Sequence, residues 1–447
     1  MTLSATDLAT IATLSRDNVK STLAGLKPFV ADSNWVGKKN RYATDAVEKI
    51  RKELAASGIE RPRQLSQYIA ASVTLHCGDG WAYLGRAVHA LLRGDPHRAR
   101  HLGYYAELRA AMSLLASVGI GVFNNKHFAI TGPDAVSLIG NGRRTHAFVW
   151  ECLESWGGLG VSGDLFARIV RPSGIELSDW VHPIGGTAAV AAQARAWFLQ
   201  WGMDLRDSGQ DQYARNESSY RPDGLHQPWQ VNASDTIDFV ADFWASMEPA
   251  ATSRFENVDS HVLRMAMEAA FKGTTGKSPA KSRPTYRALV EKVVAAQSLS
   301  ESAGARWVDF LCRVSMPKDI GIIEYSKVPP SVATKSHLSV FSRAALLLRL
   351  ASGSASELLR EVGIGADDIN FWWGALGRSR GIWDGEKDGS TIMDLWADVE
   401  PHLRAVKDFQ MSVPVQDQTF FRVASDILSE VIGLGCTERI AVWGLTP

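Results

Sequence analysis

At 447 residues the chain is longer than one compact core usually accommodates, so two or three domains are expected. Hydrophobic residues make up 45% and charged residues 21%, a globular balance that excludes global disorder. Lys plus Arg equals Asp plus Glu, 48 against 48, so nucleic-acid binding would have to come from a local patch and not from an overall basic field. Cys77, Cys152, Cys312 and Cys436 form no CxxC pair, which points to a reducing compartment and small buried side chains, not to zinc. His76 beside Cys77 does not make a metal site by adjacency alone. The 15 tryptophans are read first as helix packing and second as partner contact. Residues 1–17 have no basic n-region and no long apolar run, so no signal peptide is expected. The most apolar stretch, 340–350, is interrupted by Ser342, Arg343 and Arg349 and is too short to cross a bilayer. A cytoplasmic chain without a membrane partner is the expectation.

Helical periodicity dominates along the chain. Tyr104, Tyr105, Leu108, Ala111, Met112, Leu115 and Val118 recur at three- and four-residue spacing and make one broad apolar stripe. Similar stripes follow over 147–156, 188–201, 237–247, 262–271, 286–296, 338–350 and 420–432. Ser234 and Asp259 stand where helix N-caps would stand, and Ser354 or Ser356 would cap the helix carrying Leu358 and Leu359. Strand signals are few. Residues 121–130 read as a short hairpin turning at Asn124 and Asn125, and 320–325 and 440–443 are short β-type runs. The expected fold class is mainly α, one or more multi-helix bundles with a few short peripheral strands.

The stretch 272–287 is rich in Gly, Ser, Thr and Pro and carries Lys272, Lys277, Lys281, Arg283 and Arg287 without an acid. It reads as a basic linker between a helical N-terminal region, 1–271, and a helical C-terminal region, 288–447. The same five cations are the candidate nucleic-acid contact. GTTGKS at 273–278 looks like a phosphate loop but fails the test, because Phe271 occupies the first glycine position and the preceding stretch is helical in pattern. In the C-terminal region, Phe371, Trp372 and Trp373 precede Arg378 and Arg380; core or subunit packing is favoured there over base stacking.

Residues 101–120 are the most distinctive segment, with a Tyr-Tyr-Ala start, an Arg-Ala-Ala centre, a Leu-Leu-Ala run and a Gly-Ile end, and His127 shortly after. This stretch resembles the second helix of HEPN-type domains, small helical bundles common in bacterial toxin–antitoxin and phage-defence systems. The resemblance covers about twenty to thirty residues. It implies a metal-independent ribonuclease or, as in other members, a non-catalytic binding module. The family signature is an Arg, often followed by a polar residue, with a His a few residues on. Arg215 and Asn216 open it well, but Tyr220 stands where the His would. Arg221 and His226 match the spacing, yet Pro222 and Gly224 lie between them and make a regular helix unfavourable, which departs from the family pattern. Arg93 with His97 or Arg98 is a further match, interrupted by Pro96.

Cleaving RNA without a metal requires a base to activate the 2′-hydroxyl and a cation to hold the phosphorane charge. On the implied signature His226 is the base and Arg215 the cation, with Tyr220 and Arg221 holding phosphate and Asn216 orienting. The structural alternative is that Arg215, Asn216 and Tyr220 lock a helix end or turn through side-chain hydrogen bonds. Two function classes follow. One is a HEPN-like metal-independent ribonuclease or nucleotide-modifying toxin in bacterial antiviral defence. The other is a non-catalytic helical interaction subunit of a multi-protein complex. RNA, other protein subunits or a second copy are the expected partners, with no cofactor and no metal.

Overall fold

The computed structural model describes residues 3–186, 231–250, 252–328, 336–382 and 392–446. The protein is mainly α-helical, with one small sheet among the described residues. Helices α1 Ala5–Thr13, α2 Arg16–Ala24, α3 Lys27–Ala31 and α4 Ala46–Ala56 lead into two long helices, α5 Pro62–Leu92 and α6 Pro96–Ser117. Strands β1 Ile120–Gly121, β2 His127–Gly132 and β3 Ala135–Ile139 follow, then α7 Thr145–Gly157, α8 Gly160–Ile169 and α9 Leu177–Val181. The chain continues with α10 Ala233–Ser246, α11 Glu256–Thr275, α12 Arg283–Ala295, α13 Glu301–Leu311, α14 Gly321–Ser326 and α15 Ser336–Glu361. Last come α16 Asn370–Arg380, α17 Ile392–Ala397, α18 Glu400–Ser412, α19 Phe420–Asp426, α20 Leu428–Leu434 and α21 Glu438–Leu445.

The centre of the molecule is α5, α6 and α15. Helices α5 and α6 form an antiparallel pair because the chain turns at Gly94, which has φ +72°, and restarts with Pro96 in the first turn under an Asp95 cap. The three helices approach closely at Gly80, where a Cβ would stand 2.5 Å from Leu348 Cδ2. Buried polar contacts tie them: Trp81 Nε1 donates to Ser352 Oγ at 3.0 Å, and Ser113 Oγ donates to the Val73 carbonyl at 2.7 Å. One continuous buried cluster takes residues from Leu3 to Leu445, on both sides of 272–287. The expected stripe is confirmed, with Tyr104, Leu108, Met112 and Leu115 all buried on α6.

The hairpin expected over 121–130 is β1–β2, antiparallel with Ile120 opposite Ala129, and it turns through Asn125 at φ +59°. A third strand, β3, pairs with β2 and was not foreseen. The two other β-type runs are helical instead: 320–325 lies largely in α14 and 440–443 in α21. Short β-branched runs do not fix the backbone by themselves, and tertiary contacts decided both. Asp242 accepts the Gly321 N–H at 2.7 Å at the start of α14, and every residue of α21 is buried, so neither shows strand alternation.

Three expected caps also moved. Asn232, not Ser234, caps α10, accepting the Asp235 N–H at 2.7 Å. Asp259 lies inside α11, and Ser354 and Ser356 lie inside α15, which runs unbroken through them. Conversely, the stripe over 420–432 is split into α19 and α20 at Ile427, whose φ/ψ of −134°/40° is not helical. The stripe over 188–201 lies outside the described residues.

Residues 272–287 comprise the last turn of α11, a left-handed Gly276 at φ +68°, a 3-10 turn at Pro279–Lys281 and the start of α12. Tyr286 packs its ring against Phe271 at 5.2 Å and donates to the Leu311 carbonyl at 3.3 Å.

Leu115 gives the direct test of this core. Leu115→Ala should lower unfolding free energy by about 2–5 kcal/mol, read from urea denaturation, because the side chain is fully enclosed and its neighbours cannot fill the void. An unchanged midpoint would mean that the α6 stripe is not core.

Candidate active site

The sequence-derived catalytic set, Arg215, Asn216, Tyr220, Arg221 and His226, lies outside the described residues. The helix that carries the family resemblance is α6, and its non-core face is built in detail. Tyr104, Leu108 and Leu115 turn to the core, while His101, Tyr105 and Arg109, four residues apart, form a half-buried line beside them. On the antiparallel α5, His76, Asp79, Tyr83 and Arg86 follow helical spacing and face that line.

The two lines interlock as a ladder. Arg109 Nη1 donates to His76 Nδ1 at 2.8 Å and lies 3.5 Å from Asp79. Tyr83 and Tyr105 stack with centroids 5.5 Å apart, and the Arg86 guanidinium sits 5.1 Å over the Tyr83 ring. His101 meets the edge of Tyr105 at 5.0 Å. His146 arrives from α7, with Nδ1 2.8 Å from the Tyr104 hydroxyl and its ring 6.4 Å from Tyr105. Two imidazoles therefore approach one tyrosine, with two guanidiniums and a stacked aromatic pair alongside.

Electrostatics separates the roles. Burial, and secondarily Arg109, pushes His76 down to about 3, so its imidazole is neutral at pH 7 and can only accept from Arg109 through Nδ1. It positions the cation and is a poor base. Burial raises the Asp79 carboxyl, while Arg109 and Arg86 pull it back. The combination can hold a phosphate through Arg86 and Arg109 and stack a base on the Tyr83–Tyr105 platform, with the His101 and His146 imidazoles beside it. His146 was missed from sequence because it is distant from α6 along the chain. The recurring polar and aromatic residues at 76, 79, 83 and 86 are the signal in the sequence that marks this face.

The expected nucleic-acid segment is exposed at all five cations: Lys272, Lys277, Lys281, Arg283 and Arg287. Arg283 and Arg287 also border a cavity of about 730 Å³ whose floor holds Tyr286 and Cys312. Arg287 is partly engaged, donating to Glu291 at 2.8 Å. The Cys312 thiol is raised by burial, with Arg287 only partly countering it, so it is not an activated nucleophile. Here the surface is suited to holding an anion and lacks an activated thiol.

The aromatic run at 371–373 packs as expected. Trp35 contacts Phe371 at 5.7 Å and Trp372 at 5.8 Å, and Trp373 is buried. Cys77 is buried against Ser352. Among the described residues no group of His, Cys, Asp or Glu could hold a metal ion, and no helix is long and apolar enough to cross a membrane. Comparison with family models, with characterised proteins and with solved structures returned no match for this chain.

Buried histidines make stability depend on pH. Burial holds His127, His261 and His337 at about 4, below the ordinary 6.5. The unfolded chain binds these protons as pH falls through about 6.5, while the folded chain does not until about 4. Their stabilising contribution is therefore present above that range and is lost progressively as the pH falls, at up to about 1.4 kcal/mol per pH unit for each group. Urea midpoints should drop between about pH 7 and about pH 5. A constant midpoint would show that these imidazoles accept protons freely in the fold.

Proposed function

We propose that the chain is a metal-independent ribonuclease that engages RNA across the α5–α6 ladder. The observation that carries this reading is the approach of His101 and His146 to the same ring, Tyr105, at 5.0 Å and 6.4 Å, on and beside the helix that bears the HEPN resemblance. In-line attack by a 2′-hydroxyl needs one group to remove its proton and another to protonate the leaving oxygen. His101 and His146 are assigned to that pair, Arg86 and Arg109 to the phosphate and Tyr83 with Tyr105 to a stacked base. Arg215 and His226 remain the sequence-based rivals for the same roles. The resemblance is also what supports a place in bacterial antiviral defence or as a toxin.

The test is cleavage of labelled tRNA and mRNA by the full chain in EDTA. His146→Ala and His101→Ala should each lower the rate by about 10²–10⁴-fold with circular dichroism unchanged. The same loss confined to His226→Ala and Arg215→Ala would move the chemistry to that pair, and cleavage that needs added metal would sink the reading. Glutamine at Lys272, Lys277, Lys281, Arg283 and Arg287 together should weaken RNA binding and flatten its salt dependence. Unchanged affinity at low salt would leave those cations without a role.

A second reading, a non-catalytic interaction subunit, is favoured by one surface. Met411, Val415 and Phe421, at 70%, 69% and 81% exposure, and half-exposed Leu428 and Ile432 all lie on and between α18, α19 and α20. Under this reading sedimentation velocity should show self-association or complex formation that Phe421→Ser abolishes. A monomer at all concentrations, together with RNA cleavage, would set it aside.

A further inference from the structure

Where the end of α8, the residues preceding α11, and helices α15 and α21 meet, the fold leaves a cavity of about 200 Å³ that is partly open to solvent. Arg171, Arg254, Arg349 and Arg360 contribute to its wall, with Asp259 and Glu357. Arg349 sets its character. This side chain is 4% exposed, and Nε donates to Asp259 Oδ1 at 2.7 Å. Nη2 donates to Asp259 Oδ2 at 2.6 Å and to the Ile169 carbonyl at 2.7 Å. The third nitrogen, Nη1, is buried without a hydrogen-bond partner. It lies over Gly353, another wall residue, where a Cβ would come within 2.6 Å of it. A glycine there keeps the space beside Nη1 open. Buried donors without an acceptor are rare in native folds and call for an explanation.

The remaining charges point the same way. Both wall carboxylates are committed: Asp259 to Arg349, and Glu357 to Arg16 at 3.0 Å and Arg168 at 3.2 Å. Arg171 is satisfied by Glu176 at 2.7 Å. Arg254 and Arg360 have no ion pair among the described residues. The wall itself therefore sets four guanidiniums against two carboxylates, an excess of two positive charges. Burial also lowers the Arg254 pKa, as expected of a desolvated cation without a counter-charge.

We propose that this cavity is a binding site for a phosphoryl-type oxyanion, held by Arg349 Nη1, Arg254 and Arg360. Guanidinium geometry matches phosphate oxygens, and charge-assisted bonds of this kind are the strong ones. The volume argues for a small group, since pockets for larger organic ligands run from about 300 to 1,000 Å³. Free phosphate and the phosphate of a small monoester share the required chemistry. This site is separate from the α5–α6 ladder and does not depend on the ribonuclease reading.

The test uses the full chain at constant ionic strength, with inorganic phosphate in one arm and a sugar monophosphate in the other. Titration calorimetry should find one site per chain, and the melting temperature should rise with ligand concentration. Arg254→Gln should weaken binding by about 10- to 100-fold with circular dichroism unchanged. Arg360→Gln, at an exposed position, should weaken it as well and carries the test if the first variant does not fold. Binding of phosphate alone assigns the site to the free ion, and tighter, competitive binding of the ester assigns it to a monoester. No heat and no thermal shift with either probe overturns the proposal, as does an affinity that neither variant changes.

Discussion

The buried ion pair between Arg349 and Asp259 is the constraint on which the meeting of α8, α11 and α15 depends. Arg349 sits in the middle of α15 and Asp259 near the start of α11, and both are almost completely buried. The carboxylate also accepts the backbone N–H of Arg171 at 2.7 Å, so the chain leaving α8 joins the same point. The guanidinium lies 4.7 Å over the Phe255 ring. Burying two charges costs several kcal/mol before their attraction is counted, so the pair is weak evidence of net stability. Its consequence is register. If α15 slid one turn past α11, each charge would be left dry and uncompensated, and that alternative is excluded by far more than the pair itself contributes.

Asp319, in the loop before α14, plays the equivalent part for the middle of α11. Arg264, fully buried, forks onto it, and Arg313 and Lys327 each approach to 3.1 Å. Burial alone would raise its carboxyl pKa, but Arg264 and then Arg313 override that and hold it well below the usual range. Arg264 also donates to the carbonyls of Met316 at 2.7 Å and Lys318 at 2.8 Å, satisfying an irregular loop that no sheet or helix could satisfy. That loop, with Arg313 at φ +59°, walls the cavity bordered by Arg283 and Arg287. The basic connection is thus mounted on a rigid ionic frame, although its own cations are exposed.

What was legible in the sequence followed from periodicity. The α6 stripe, the helices over 147–156, 237–247, 262–271, 286–296 and 338–350, and the hairpin near Asn125 all depend on local pattern and local turn chemistry, and all are present. The misreadings share a cause. Asp259, Ser354 and Ser356 have the side chains of caps, yet their environment is the interior, where partners distant in sequence claim them: Asp259 by Arg349, and Ser354 by Arg16 Nη1 at 2.6 Å. The runs 320–325 and 440–443 were β-branched but enclosed on several sides, which removes the alternation that a strand requires. The His146–Tyr104 contact and the Arg349 cavity could not be read from spacing at all, because each joins elements far apart in the chain.

Charge distribution explains why composition was a poor guide to binding. With 48 cations against 48 anions, the chain has no net field, yet arginines gather in the interior. Arg264, Arg343 and Arg349 are each buried, and each faces a carboxylate: Asp319, Glu107 and Asp259. Guanidinium tolerates such sites because it is weakly hydrated and spreads its donors in a plane that a carboxylate can match on one edge. Matching one edge leaves the other available. At Arg264 the loop carbonyls take up the remaining donors, whereas at Arg349 the backbone supplies the Ile169 carbonyl to Nη2 and nothing to Nη1. The same residue type in the same ionic arrangement is closed in one place and open in the other, and what differs is the open space beside Gly353. An anion site built from a structural ion pair needs only one such opening, which is why a neutral chain can carry it without any basic motif in its sequence.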